Sequence, residues 1–210
     1  MKVTTLKTEH VWTEAVPKST GYINPVVIAL LREAGARKVL DVGCGNGVLC
    51  GELAAAGFEA AGVDGDSAAI AVAARKYPAI PFAVAHFDGS PRDLAPMPAE
   101  GFDAVVSTEV VEHLFSPHEL ARYCFEALKP GGLLVISTPY HGYLKNLVLS
   151  LANGWDKHHG VHLHGGHIKF FSRKTLARLL RDAGFEVTGF RGAGRLPWLW
   201  KSMILLARKP

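Results

Sequence analysis

The run Val39-Leu40-Asp41-Val42-Gly43-Cys44-Gly45-Asn46-Gly47 constrains this chain more than any other segment. An apolar stretch ends in Asp41 and passes straight into glycines at every second position, and a second apolar stretch ends in Asp64. A strand that stops in glycines lets a ligand lie against bare backbone at the N-terminus of the next helix. A carboxylate closing the following strand suits a ribose diol. The pattern predicts a site for an adenosine-bearing cofactor.

The dinucleotide fingerprint is G-x-G-x-x-G, which sets a helix N-terminus against a pyrophosphate. Here the spacing is G-x-G-x-G, and Asp41 stands two residues before the first glycine. An acid there would repel a pyrophosphate but can receive a cationic amino group. The segment Asp41-Val42-Gly43-Cys44-Gly45-Asn46-Gly47 resembles motif I of the class I S-adenosylmethionine-dependent methyltransferases. The resemblance implies S-adenosylmethionine as cofactor and S-adenosylhomocysteine as product. An NAD enzyme is disfavoured by the glycine spacing and by Asp41.

The 210 residues fit one domain, with 49% apolar and 20% charged side chains, as expected of a globular protein. Cys44, Cys50 and Cys124 have no metal-like spacing, which predicts reduced thiols and a cytoplasmic setting. Met1-Lys2 leads into mixed polar residues, not a signal-peptide core. Leu144 to Leu151 is too short to span a bilayer and contains Lys145 and Asn146. The net charge of +4 hides an asymmetry: residues 1–138 carry 11 basic and 16 acidic side chains, residues 139–210 carry 12 and 3. The basic third is either a solvated face or a surface for an anionic acceptor, a membrane or nucleic acid.

Along the chain, residues 1–35 read as an N-terminal arm and helix, with Trp12 and Tyr22 near the cleft and Asn24 capping a helix that has Pro25 in its first turn. Strands are expected at Lys38–Val42, Ala60–Val63, Phe82–His86, Phe102–Ser107 and Leu133–Ser137, alternating with helices at Gly47–Ala56, Ser67–Lys76 and Pro117–Leu128. An irregular stretch, 139–171, precedes a helix at Arg173–Ala183 and closing segments at Phe185–Phe190 and Ser202–Ala207. The alternation predicts an α/β fold: a Rossmann-like, seven-stranded, mostly parallel sheet with helices on both faces and a lid inserted after strand five. The layout is similar to the methyltransferase core, whose last strand runs antiparallel. Residues 36–138 would be the cofactor-binding core, 139–171 the acceptor lid and 172–210 the C-terminal helix and strands of a single domain.

The resemblance extends residue by residue. It implies that the loop Gly43, Cys44, Gly45 and Gly47 wraps the methionine portion, that Asp64 takes the ribose hydroxyls, and that Gly65 lies beside the adenine. Asp88 would bind the adenine amino group, Asp66 would cap a helix, and Thr108 and Glu109 would reach the cofactor or acceptor. The segment Ser107-Thr108-Glu109-Val110-Val111-Glu112-His113-Leu114 resembles quinone-pathway O-methyltransferases and related enzymes of small molecules. His113 follows Glu109 by four residues and would share its face on a helix, as a base or as a structural residue.

Six of the ten histidines fall between His141 and His167. His158, His159, His162, His164 and His167 are chemically able to gather a metal. One of them could instead serve as a general base, or all could pack in a polar loop. His162, His164 and His167 are the best base candidates because they alternate toward Ile168; no metal is assigned. Tyr140, Tyr143, Trp155, Phe170 and Phe171 would wall a planar acceptor or pack over the strand ends. Arg195-Leu196-Pro197-Trp198-Leu199-Trp200-Lys201 could close the same pocket, form a dimer contact or touch a membrane.

These readings converge on methyl transfer to a small molecule, at oxygen in preference to nitrogen, with His113 or a lid histidine taking the proton. The partners expected are a small-molecule acceptor, with peripheral membrane contact compatible and the chain a monomer or homodimer. A methyltransferase of RNA or protein is the alternative, supported by the basic third. The amino-methyltransferase signature after strand four is replaced by Thr108-Glu109-Val110-Val111, so nucleic acid is disfavoured. A non-catalytic cofactor-binding subunit would bind the donor without turnover.

Overall fold

The computed structural model describes residues 13, 15–17, 19–93, 98–156 and 166–210. Trp12, His158, His159, His162 and His164 lie outside the described residues. Seven strands form one sheet: β1 (Lys38–Val42), β2 (Glu59–Asp64), β3 (Phe82–Val84), β4 (Phe102–Thr108), β5 (Leu128–Pro139), β6 (Glu186–Ala193) and β7 (Ser202–Arg208), in the order β3-β2-β1-β4-β5-β7-β6. The first five pair in parallel, and β7 runs antiparallel to β5 and β6. Successive connections move outward from β1 and then restart at β4, so the sheet has its switch point between β1 and β4. Ligands of open parallel sheets bind at the carboxyl ends of such strands.

Alternate side chains divide the core into two layers. Val39, Ala104 and Val106 face α1 (Thr20–Glu33) and α2 (Val48–Ala55), while Leu40, Val42 and Val105 face α4 (Pro117–Ala127) and Arg173–Asp182, here α6. In α1, Ile23, Val27, Leu30 and Leu31 fall on one buried stripe. Burying each such side chain stabilises the fold by about 1.5–3 kcal/mol. Asp66 caps α3 (Ser67–Lys76) by accepting from Ala68 N at 2.8 Å, as expected. Ser172 and Thr175 form a reciprocal capping box on α6.

Three local expectations are corrected. α1 begins at Thr20, a turn before the expected cap, and Pro25 lies inside it. Asn24 is buried and donates to Glu52 Oε2 at 2.9 Å, joining α1 to α2 instead of capping. The stretch 139–171 is not irregular throughout, since Tyr143–Leu151 forms α5. That helix turns Lys145 inward and leaves Tyr143, Leu144, Leu147, Val148 and Leu151 exposed, the reverse of an amphipathic core helix. The fifth strand, expected at Leu133–Ser137, begins earlier, because Lys129-Pro130-Gly131-Gly132 is itself part of β5: Gly131 N donates to Lys209 O and Lys209 N to Gly132 O. Among the described residues no helix is long and apolar enough to cross a membrane.

Candidate active site

The loop after β1 crosses to β2 through two backbone bonds, Gly43 N and Cys44 N both donating to Val63 O at 2.8 and 3.0 Å. Gly43 has φ +82° and packs so closely on Val110 that an added Cβ would overlap its methyl groups. Gly47, at φ +75°, stands at the start of α2, where a Cβ would come within 2.9 Å of Phe82 and Ala73. Both positions require glycine, for backbone conformation and for space. Asp64 is held from two sides: Oδ2 accepts from Gly45 N and Oδ1 from Asp66 N, each at 2.9 Å. Burial raises its pKa, and these N–H donors oppose the shift.

Asp41 is 1% exposed. Its Oδ2 accepts from Cys50 Sγ at 3.6 Å, while Oδ1 has no hydrogen-bond partner. Burial pushes the carboxyl up to about 7. A buried acceptor short of a donor, beside a loop of bare backbone, fits a ligand that brings a cationic amino group and no phosphate. Asn46 Nδ2 donates to Thr13 O and Ala15 O, both at 2.9 Å, and so lays the N-terminal segment over this loop.

Beyond Asp64 the sheet edge opens into a cavity of about 330 Å³ lined by Gly65, Ala85, His86, Phe87, Asp88, Leu114 and Phe115, among others. Gly65 is uncrowded there, its nearest neighbour lying 3.5 Å from where a Cβ would be. Arg122 fixes the wall that carries Asp88: Nη2 donates to the carbonyls of Phe87, Asp88 and Gly89 at 3.0–3.1 Å, while Nη1 pairs with Glu126 at 2.7 Å. The charge and spacing of this donor set suit an adenosine with the ribose at Asp64 and the base between Gly65 and Asp88.

After β4 the chain turns sharply at Glu109, whose φ of +56° is unusual for a residue with a side chain. Neighbouring strands over-determine this turn. Glu109 N donates to Ser137 O and Ser137 Oγ, Ser137 Oγ donates back to Oε1 at 2.9 Å, and Ser202 Oγ donates to Oε2 at 3.1 Å. Tyr22 OH lies 3.4 Å from Ser202 Oγ, and Thr108 pairs with Ser137 across β4 and β5. Burial pushes the Glu109 carboxyl up to about 7.

The expected shared helix face of Glu109 and His113 is not formed, because only a single 3-10 turn, Val111–His113, follows the left-handed Glu109. Glu112, His113 and His167 come together instead. Glu112 is 1% exposed; Thr138 Oγ1 donates to its Oε2 at 3.0 Å, and its Oε1 lies 4.0 Å from His167 Nε2. Burial, then the charge of Glu109, push Glu112 up to about 8. The His113 and His167 rings meet edge to face, centroids 4.9 Å apart. One ligand atom from each of the three residues lies within 4.8 Å of the others. Ile168 N and Lys169 N both donate to Glu112 O at 3.0 Å, which ties the returning lid to this corner. His113 Nδ1 sits 3.3 Å from Gly166 O. A carbonyl can only accept, so in a neutral imidazole so bonded Nδ1 carries the proton and Nε2 the lone pair.

Three of the four raised carboxyls move far enough to have a measurable consequence. Asp41, Glu109 and Glu112 rise from ordinary values of 3.8, 4.5 and 4.5 to about 7, 7 and 8. A group that holds its proton more tightly folded than unfolded stabilises the fold at low pH and loses that contribution as pH rises through its folded value. The melting temperature of the ligand-free protein is therefore expected to fall between about pH 5 and pH 8, with a shallower slope in Glu112→Gln. A melting temperature that rises across this window would contradict the burial argument.

Sequence reasoning singled out Gly43, Gly45, Gly47, Asp64, Gly65 and Asp88, and the structure sets all of them along one edge. His113 and His167 meet, but His162 and His164, proposed with them, are outside the described residues. Glu112 was quoted within a motif yet given no role, and Asn46, Arg122 and Lys145 were not singled out. Apart from Tyr140 for Lys145 and Glu126 for Arg122, their partners lie 26 to 57 residues away, so spacing along the chain carries little signal of them.

A family model described as a methyltransferase domain matches residues 20–189. The chain is 30% identical over 181 residues to a ubiquinone biosynthesis O-methyltransferase of Aromatoleum aromaticum, covering 83% of this chain and 76% of that protein. It is 35% identical over 183 residues to the enzyme of the same name from Xanthomonas axonopodis pv. citri, covering 84% and 75%. A Mycolicibacterium smegmatis protein described as a probable S-adenosylmethionine-dependent methyltransferase is 31% identical over 169 residues, 79% of this chain but only 60% of that one. Among solved structures, the fold is similar to magnesium protoporphyrin IX methyltransferase from Synechocystis with bound S-adenosylhomocysteine, at TM-score 0.66 and 20% identity over 89% of this chain and 82% of that one. With the sheet order, the glycine loop and the Asp64 corner already pointing the same way, the match over most of its length makes this chain a member of the class I S-adenosylmethionine-dependent methyltransferases.

Proposed function

We propose that the enzyme methylates a hydroxyl of a small-molecule acceptor, with His113 as the base. The observation that carries this reading is the commitment of His113 Nδ1 to Gly166 O, which leaves the Nε2 lone pair available in a histidine clustered with buried Glu112. The names of the two ubiquinone biosynthesis O-methyltransferases support oxygen as the accepting atom. S-adenosylmethionine supplies a methyl on a sulfonium, which is released as the thioether when the acceptor O–C bond forms and the C–S bond breaks.

The chain's own groups do the rest. Asp64 would hold the ribose hydroxyls, Gly65 and Asp88 the adenine, and Gly43, Cys44, Gly45 and Gly47 the methionine portion. The uncompensated Oδ1 of Asp41 would complement the amino group. Thr108 and the strained Glu109 would border the transfer point from the ends of β4, β5 and β7. His113 Nε2 would take the hydroxyl proton, with His167 against its ring and Glu112 behind. Holding the two reacting atoms in line supplies much of the rate.

Residues 139–171 would act as the acceptor lid of a single 1–210 methyltransferase domain. An acceptor screen following S-adenosylhomocysteine release tests this reading; turnover confined to hydroxylated acceptors supports it, and turnover only with amines, RNA or protein contradicts it. A second reading uses the same three residues: Glu112, His113 and His167 supply donor atoms close enough to hold a divalent cation. Turnover lost on chelation and restored by one added metal would favour it over a free base.

Exposed apolar side chains on α5 and in the loop between β6 and β7 also support peripheral contact with an anionic membrane. Tyr143, Leu151, Leu196 and Trp198 are 83%, 80%, 74% and 65% exposed, within a third of the chain that carries 12 basic and 3 acidic residues. Sedimentation with phosphatidylglycerol vesicles and not with phosphatidylcholine is expected, and loss in a Leu147→Glu, Trp198→Glu double variant. Equal recovery in the supernatant with both vesicles would remove this contact.

A further inference from the structure

Lys145 is the least expected charge in the molecule. It lies on α5, a helix with four exposed aliphatic side chains, and is itself only 7% exposed. Its Nζ donates to Tyr140 O at 2.8 Å. Among the described residues no carboxylate oxygen lies within 4.0 Å of this ammonium. Glu109 and Arg195 are its charged neighbours, and Glu109 has both oxygens taken by Ser137 and Ser202. The carboxylate nearest to Lys145 is thus already hydrogen-bonded, and Arg195 adds a second positive charge near the ammonium. A buried charge without a matched partner is costly, so a helix that buries a lysine in place of its leucines calls for a compensating anion.

The surroundings indicate what kind of anion. Tyr140, which holds the ammonium through its carbonyl, packs its ring edge to face on Trp200 at 5.2 Å. Trp200 in turn meets Phe190 at 5.4 Å and the exposed Trp198 at 6.0 Å. Tyr22, in the field of both Glu109 and Arg195, completes the group through Ser202. A cation beside aromatic rings, at the edge where Glu109 leaves β4, matches a flat ring that bears an oxyanion.

We propose that Lys145, assisted by Arg195, binds a carboxylate carried by an aromatic acceptor. Lys145 is a specificity-determining residue on the acceptor side and takes no part in holding the donor. This inference rests on the reading that the acceptor is a small molecule. Burial lowers the Lys145 pKa to about 8, which leaves it mostly charged at neutral pH.

The test uses the full chain saturated with S-adenosylhomocysteine and compares benzoate with benzamide, a neutral probe of nearly the same shape, by NMR titration. Benzoate is expected to bind about tenfold or more tightly than benzamide, the difference one charge-assisted contact makes. Lys145→Met should abolish that preference while leaving S-adenosylhomocysteine affinity unchanged, and Lys145→Arg should retain it. Lys145→Met removes the charge at similar volume, and an unchanged donor affinity with a cooperative melt checks that the fold is kept. Equal binding of the two probes, or a preference that survives Lys145→Met, overturns the assignment while leaving the small-molecule reading in place. Failure of both probes to bind overturns the assignment of a carboxylate site, while the small-molecule reading stands or falls on the acceptor screen.

Discussion

Asp64→Ala is expected to weaken S-adenosylhomocysteine binding by about a hundredfold or more. Hydrogen bonds to a charged group contribute about 1.5–3 kcal/mol each, and a ribose offers two, so losing both costs at least 3 kcal/mol or so. The substitution has a second effect inside the protein. Asp64 accepts from Gly45 N and Asp66 N, so its removal frees both the glycine loop and the turn into α3. Asp64→Asn keeps one acceptor and most of the shape and should fall between the two. Calorimetric titration gives the affinity, and a melting curve on the same sample separates lost binding from lost folding. A folded Asp64→Ala protein that binds within threefold of the parent would mean that the ribose does not sit at the end of β2.

The second large effect is at His113. His113→Ala should lower kcat by two to three orders of magnitude or so, the usual loss for a removed general base, with donor affinity unchanged. Glu112→Gln separates the competing chemistries of the same corner. Burial pushes the Glu112 carboxyl up, and a glutamine keeps its shape without a charge. If His113 acts as a free base, Glu112→Gln should keep most of the activity near pH 7. If the corner holds a divalent cation, the same substitution removes a ligand and should abolish metal-dependent turnover. His113→Ala at parental kcat would eliminate both roles for this histidine.

The donor half of the site was legible because its chemistry is local. Gly43, Gly45 and Gly47 all take left-handed backbone within one loop, and Asp64 closes the next strand. The parallel order of β1 to β5 follows from the alternation of strand and helix patterns with Asp66, Pro117 and Ser172 at helix starts. The acceptor half was not legible, because it is assembled from distant segments. Glu109 depends on Ser137 and Ser202, 28 and 93 positions away, and Glu112 meets His167 only after the whole lid has returned. The helix α5 lies in the stretch expected to be irregular; its leucines point outward and a lysine points in, so it carries no buried apolar stripe. Asn24 looked like a cap because its partner, Glu52, belongs to another helix.

Donor identity is tested most directly by one titration: the parent protein with S-adenosylhomocysteine, and in parallel with NAD. The expected result is saturable one-site binding of the thioether and no measurable heat from the dinucleotide, whose pyrophosphate would meet the buried acid at Asp41. Preference for NAD, or no binding of S-adenosylhomocysteine by a folded sample, would contradict the central claim and every residue role built on it.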